Sequence, residues 1–217
     1  MIAALPMTGS RRLLAGAGLA ALLAAWLGPL PALAQQSFAA HMAMHLGVVA
    51  VAAPLLAFGL AGSRTDPVPR APRLFSPMLA TLLEFIVVWA WHAPWLHHAA
   101  RTSAPMRVLE QGSFLAVGLL LWLAACGGLA SRGRIAVGVA ALLMTAMHMT
   151  LLGVLLATAP RALYRHHGAL PDAAAALADQ ELGGVLMLAV GGIVYLGGAL
   201  WLLSRLLRDA TREFGNG

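Results

Sequence analysis

His41-Met42-Ala43-Met44-His45-Leu46-Gly47-Val48-Val49-Ala50-Val51-Ala52-Ala53-Pro54-Leu55-Leu56-Ala57-Phe58-Gly59-Leu60 has no charged or hydrogen-bonding side chain beyond His45. Lipid offers a bare backbone no partners, so a run this long and this apolar is stable in a membrane only as a helix, whose amides pair internally. About 20 residues rising 1.5 Å each cross the hydrocarbon core. This run fills 39–61, and four more follow at 76–96, 106–126, 135–158 and 180–204. The sequence therefore predicts an all-α integral membrane helical bundle with five transmembrane helices. Pro54 should kink the first. Ser76-Pro77 should open the second, with a capping hydroxyl and a proline where no amide is needed.

Composition agrees. With 60% hydrophobic and 10% charged residues among 217 and a mean hydropathy of +0.82, the chain is too apolar for an ordinary soluble domain. The net charge of +6 comes from arginine alone, and the arginines lie between the apolar runs instead of forming a tract. That distribution speaks against a nucleic-acid partner. The single cysteine, Cys126, removes both an intrachain disulfide and any Cys-x-x-Cys metal motif. A metal site in this chain must use His, Met or carboxylate. No nucleophile–base pair and no phosphate loop stands out, so a non-enzyme is expected.

Residues 1–34 read as a signal peptide. Arg11 and Arg12 precede an apolar stretch from Leu13 to Leu27, then Gly28-Pro29, then Ala32-Leu33-Ala34 before Gln35. Cleavage is expected after Ala34, leaving 35–217 as a single transmembrane helical domain. If the hydrophobic segment is retained, it becomes a sixth span.

Arginines orient the helices. Arg64, Arg70 and Arg73, then Arg132 and Arg134, then Arg205, Arg208 and Arg212 occupy one set of connections, against Arg101, Arg107, Arg161 and Arg165 on the other. The richer set belongs in the cytoplasm. The mature N-terminus then lies in the periplasm and the C-terminus in the cytoplasm of an inner-membrane protein, as the signal-like start also implies. With that orientation none of the eight histidines faces the cytoplasm. His41 and His45 open the first helix, and His92, His97 and His98 end the second. His148 lies some ten residues inside the fourth helix, about 15 Å deep. His166 and His167 fall in an outer loop.

His41 and His45 stand four residues apart, on one helix face, with Met44 beside them, and Met144 and His148 repeat the spacing. Imidazole and thioether at an outer membrane face suit copper, and thioether favours Cu(I). The plain alternative is that methionine fills an apolar core and boundary histidines are hydrated. His41, His45, His92 and His148 are the candidate ligands, with Met44 and Met144 as softer partners. Glu84, near the middle of the second helix, is expensive there unless paired or protonated, which makes it a functional candidate. It shares a face with Val88 and His92. Glu110 and Asp179 read as carboxylates near outer helix starts, available as supporting polar groups. His97-His98 and His166-His167 read as loop pairs, open to occasional metal capture but more readily explained as solvated. Paired glycines at 183–184, 191–192 and 197–198 should let a neighbouring backbone come close.

His41-Met-Ala-Met-His45 followed by Ala53-Pro54-Leu55-Leu56, Trp91-His92-Ala-Pro94, Leu109-Glu110 with Phe114, Gly153 with Tyr164, and Asp179-Gln180 with Gly183-Gly184 and Met187 resemble the CtaG family. These are the multi-span assembly factors of haem–copper cytochrome c oxidase. The resemblance covers nearly the whole chain after residue 34. One departure stands out: where the family pattern leads us to expect Glu-His, the chain has Glu110-Gln111, one potential ligand fewer. The resemblance implies a role in oxidase biogenesis, with subunit I or II of the oxidase and copper chaperones as partners. With the ligand count it points to copper bound or passed at the periplasmic face. Two alternatives are a b-type cytochrome, with haem held between His45 or His92 and His148, and a metal permease using Glu84.

Overall fold

The computed structural model describes residues 9–127, 131–164 and 172–214. His166 and His167 lie outside them. Among the described residues there are helices and no strands, as the apolar runs require. The elements are α1 (Gly9–Leu27), α2 (Leu30–Ala34), α3 (Phe38–Leu46), a π-helical turn Gly47–Ala52, α4 (Ala53–Leu60), α5 (Pro77–Trp91), α6 (Pro94–Thr102), α7 (Ala104–Cys126), α8 (Arg132–Ala157), α9 (Ala173–Leu186), a second π turn Met187–Gly191, and α10 (Gly192–Phe214). Among the described residues five are long and apolar enough to cross a membrane: α1, α3 continued through α4, α7, α8, and α9 continued through α10; the bent pair α5 and α6 brings the number to six if the two form one span.

The bend in that pair comes from its sequence. Pro94 has no amide to give and disfavours a helical residue before it. Ala93 is accordingly extended, with ψ 129°, and α6 turns away from α5 by 74°. The predicted span 76–96 therefore stops at Trp91, and His97, read from sequence as a solvated loop residue, lies on a short helix folded back over the bundle end. Pro77 does open α5, although the Ser76 side chain makes no capping bond.

Pro54 acts through its missing amide. The turn just before it is π-helical, which shifts the hydrogen-bond register by one residue, and Trp122 Nε1 donates to the Val49 carbonyl in that turn at 3.2 Å. Close approach through glycine holds the fold together elsewhere. A Cβ on Gly184 would meet Ala157 N at 2.6 Å and Gly153 O at 2.7 Å, so α8 and α9 touch backbone to backbone. Gly59 of α4 lies the same way on Ala15 of α1, and Gly18 of α1 on Leu56. The core runs between the helices, with Tyr195, Phe38, Phe114, Leu121 and Leu142 completely buried.

At the end carrying Arg64, Arg70 and Arg73, the connection is ordered around Asp66, which accepts from Gly62 N at 2.6 Å and Val68 N at 2.9 Å. Arg134 ties the neighbouring helix start to it by donating to the Phe75 carbonyl at 2.7 Å.

Candidate metal centre

The site forms at the opposite end, where α3 begins, α5 gives way to α6, and α7 starts. Ser37 caps α3 by accepting from Ala40 N at 3.1 Å. Asp179 completes the cap from outside: it accepts from Phe38 N at 2.5 Å and from Ser37 Oγ at 2.6 Å. A carboxylate there matches the positive end of the helix. Asp179 thus lies well inside α9, which starts at Ala173 and not at 180 as the sequence suggests, and its task is to anchor α3.

With α3 fixed, His41 and His45 point into the bundle, and both are buried. Their Nε2 atoms are 2.8 Å apart. Glu110, fully buried on α7, sets Oε1 at 3.2 Å from His41 Nε2 and 3.6 Å from His45 Nε2. None of these carboxylate contacts has hydrogen-bond geometry, and Glu110 Oε1 has no other hydrogen bond. Because α7 begins at Ala104, Glu110 lies well inside that helix and not at its first turn. Its role is to face the imidazoles rather than to cap the helix. The back-folded α6 adds His97, whose ring centroid is 4.7 Å from that of His41. Ligand atoms of His41, His97 and Glu110 lie within 4.8 Å of one another.

Above them Phe38 stacks on Tyr164 at 4.4 Å, and Tyr164 packs on His97 at 4.5 Å. The Tyr164 hydroxyl donates to the His92 carbonyl at 2.6 Å. Burial pushes its phenol well above the ordinary tyrosine range, so it remains a neutral donor.

Gln111 assigns the protons. Trp26 Nε1 can only donate, and it meets Gln111 Oε1 at 3.2 Å. The amide nitrogen must then face the other way, where it lies 3.0 Å from His45 Nδ1 and 3.2 Å from Glu110 Oε2. Gln111 therefore donates to His45 Nδ1, and the neutral His45 carries its proton on Nε2, directed at His41 Nε2. The residue that departs from the expected family pattern is an organiser of the site.

His92 belongs to the neighbouring space, its ring 6.4 Å from that of His45. Its Nδ1 donates to the Val88 carbonyl at 2.6 Å, which leaves Nε2 as a lone pair 3.3 Å from Met42 Sδ. Below lies a cavity of about 10 Å³ lined by Met42, His45, Val49, His92, Met149 and Met187 among others.

Three sequence candidates lie elsewhere. His148 faces Glu84, with Nε2 3.7 Å from Oε2, and packs against Phe85. Tyr195 donates to Glu84 Oε1 at 2.7 Å, so Glu84 and His148 form their own buried pair. Glu84 lies eight residues before His92, about 12 Å along α5. Met144 projects from the bundle surface, 49% exposed, because it lies about 100° round α8 from the buried Thr145 and about 140° from the buried Met149. Met44 is buried, but the thioether that reaches an imidazole is that of Met42. Sequence reasoning missed His97, Gln111, Met42, Met149 and Met187 as participants. The Pro94 break was the one available signal for His97.

No curated protein and no solved structure matches the chain. The family model for the cytochrome c oxidase caa3 assembly factor matches residues 4–209, which include every residue of this site, and the chain belongs to that family of assembly factors.

Proposed function

We propose that this assembly factor holds copper at the periplasmic end of the bundle and passes it to the oxidase by ligand exchange. The arginine distribution supports the periplasmic assignment. One observation carries the reading: ligand atoms of His41, His97 and Glu110 lie within 4.8 Å of one another, with His41 Nε2 3.2 Å from Glu110 Oε1, a carboxylate oxygen that no hydrogen bond satisfies. Ligands held about 2.0–2.1 Å from one ion lie a little over 3 Å apart. A buried carboxylate oxygen without a hydrogen bond is costly in a protein interior, and a cation relieves that cost.

The proton assignment divides the labour. His41, His97 and Glu110 supply donor atoms, and His45, with its proton on Nε2, stands next to them. When the ion leaves, the His45 N–H re-engages His41 Nε2, so His41 does not keep an unpaired lone pair. That exchange suits a carrier that must release its cargo. The haem alternative, which needs His148 opposite His45 or His92, has less support, since His148 faces Glu84 instead and the cavity beside His45 and His92 holds about 10 Å³.

The test is the paired substitution His41→Ala with Glu110→Gln. Both groups contribute donors more than packing, so the protein is expected to accumulate. Affinity of the purified chain for divalent copper should fall by at least about tenfold, the loss typical even of outer-shell changes around a metal. Oxidase activity in membranes should fall and recover partly with added copper, by mass action. Normal oxidase activity in the variant at limiting copper would overturn the copper reading and leave a scaffolding role in assembly.

A further inference from the structure

Beneath the imidazole cluster, two acceptors face each other with nothing between them. The Val88 carbonyl can only accept, so the proton of neutral His92 is on Nδ1, 2.6 Å away. Its Nε2 lone pair then points at the Met42 sulfur, itself an acceptor, at 3.3 Å. A hydrogen bond cannot join them in this state, whereas a cation can. An ion with bonds of about 2.0 Å to nitrogen and 2.3 Å to sulfur, the lengths seen with zinc, accommodates an N···S separation of that size. The Val88 carbonyl plays the part of the outer partner that orients a metal-binding histidine.

The surroundings select the kind of ion. The cavity beside this pair has the volume of about one water-sized sphere, and its walls carry three thioethers, Met42, Met149 and Met187, all buried. It has no carboxylate, hydroxyl or thiolate in its lining to neutralise a divalent charge. Soft neutral sulfur with imidazole favours Cu(I) over zinc or other hard ions. Both π-helical turns contribute to the walls, Val49 from the first and Met187 from the second. Such turns recur at functional sites because they re-aim side chains within an otherwise regular helix.

We propose that His92 Nε2 with the sulfurs of Met42, Met149 and Met187 forms a Cu(I) site, a second and softer station below the His41–His97–Glu110 group. This rests on the copper reading above and deepens it. His45 lines the cavity and also contacts His41, so it separates the two stations. An ion that arrives as Cu(I) moves between them by exchanging ligands, without any electron transfer. The outer station, with its carboxylate, accepts ions of either charge, and the inner one retains only the soft monovalent ion.

The experiment uses the full chain purified in detergent, titrated with Cu(I) buffered by a colorimetric Cu(I) chelator and, separately, with Zn(II). X-ray absorption of the Cu(I)-loaded protein should show sulfur scattering. The triple substitution Met42→Leu, Met149→Leu and Met187→Leu keeps apolar volume, so it should remove the sulfur signal and weaken Cu(I) at least tenfold while Zn(II) binding is unchanged. His41→Ala with Glu110→Gln should do the reverse, losing Zn(II) and keeping the sulfur-ligated Cu(I). If the triple variant does not accumulate, Met42→Leu alone provides the same readout. Undiminished Cu(I) affinity with an unaltered absorption spectrum in a folded leucine variant would overturn the proposal and leave these methionines as core packing. That failure is distinct from normal oxidase activity in the outer-site variant, which concerns the function and not this cavity.

Discussion

Gln111 sets the protonation of the site because the Trp26 indole leaves its amide only one orientation. Replacing it with leucine frees the half-buried indole N–H and strands both His45 Nδ1 and Glu110 Oε2. Each stranded buried group costs about 1–3 kcal/mol, so Gln111→Leu should melt at a lower temperature. In nitrogen NMR of histidine-labelled protein, wild-type His45 should carry its proton on Nε2, and Gln111→Leu should lose that preference. A wild-type His45 protonated on Nδ1 would refute the assignment. The i, i+4 spacing of His41 and His45 was legible in the sequence because it is local. Glu110, Gln111 and His97 were not legible as their partners, since the contacts cross from α3 to α6 and α7. The choice of Met42 over Met44 depended on how α3 rotates against α5, which periodicity alone does not fix.

Helices were legible from their apolar runs, but their ends and breaks followed local chemistry. Pro94 divided a predicted single span, and the turn just before Pro54 is π-helical. The glycine pairs of the fifth run were read as packing positions, and the structure distinguishes among them. Gly184 lies against the Ala157 and Gly153 backbones, whereas Gly197 faces open space. A methyl group at 184 must push α9 from α8, because backbone atoms cannot rotate aside. Gly184→Ala should therefore destabilise the protein by about 1–3 kcal/mol. Gly197→Ala meets nothing and gains helix propensity, so it should be neutral or stabilising by up to about 1 kcal/mol. Thermal unfolding of the two variants in detergent compares them directly, and equal melting temperatures would contradict the close α8–α9 contact. Paired movement of this kind matters to the site, since α9 carries the Asp179 that caps α3.

On the scale of the whole molecule, the sequence's most open question was whether residues 1–34 remain, and the packing favours retention. The segment forms α1, whose Gly18 and Ala15 interlock with Leu56 and Gly59 of α4. Its Trp26 holds Gln111, and through it His45. Ala34, at the expected cleavage point, is buried, and its carbonyl accepts from Arg101. Loss of the segment would uncover the glycine face of α4 and release the amide that sets the site's protons. With α1 kept, the spans number six and both termini lie on one side, the side the arginine bias assigns to the cytoplasm. We therefore expect the intact mass of the membrane-purified protein to include residues 1–34, and reporters fused at either terminus to be active in the cytoplasm. A variant beginning at Gln35 should insert but bind copper more weakly, because Gln111 is no longer held. An intact mass starting at Gln35 in protein that binds copper normally would show that α1 is dispensable and that Gln111 keeps its orientation without Trp26.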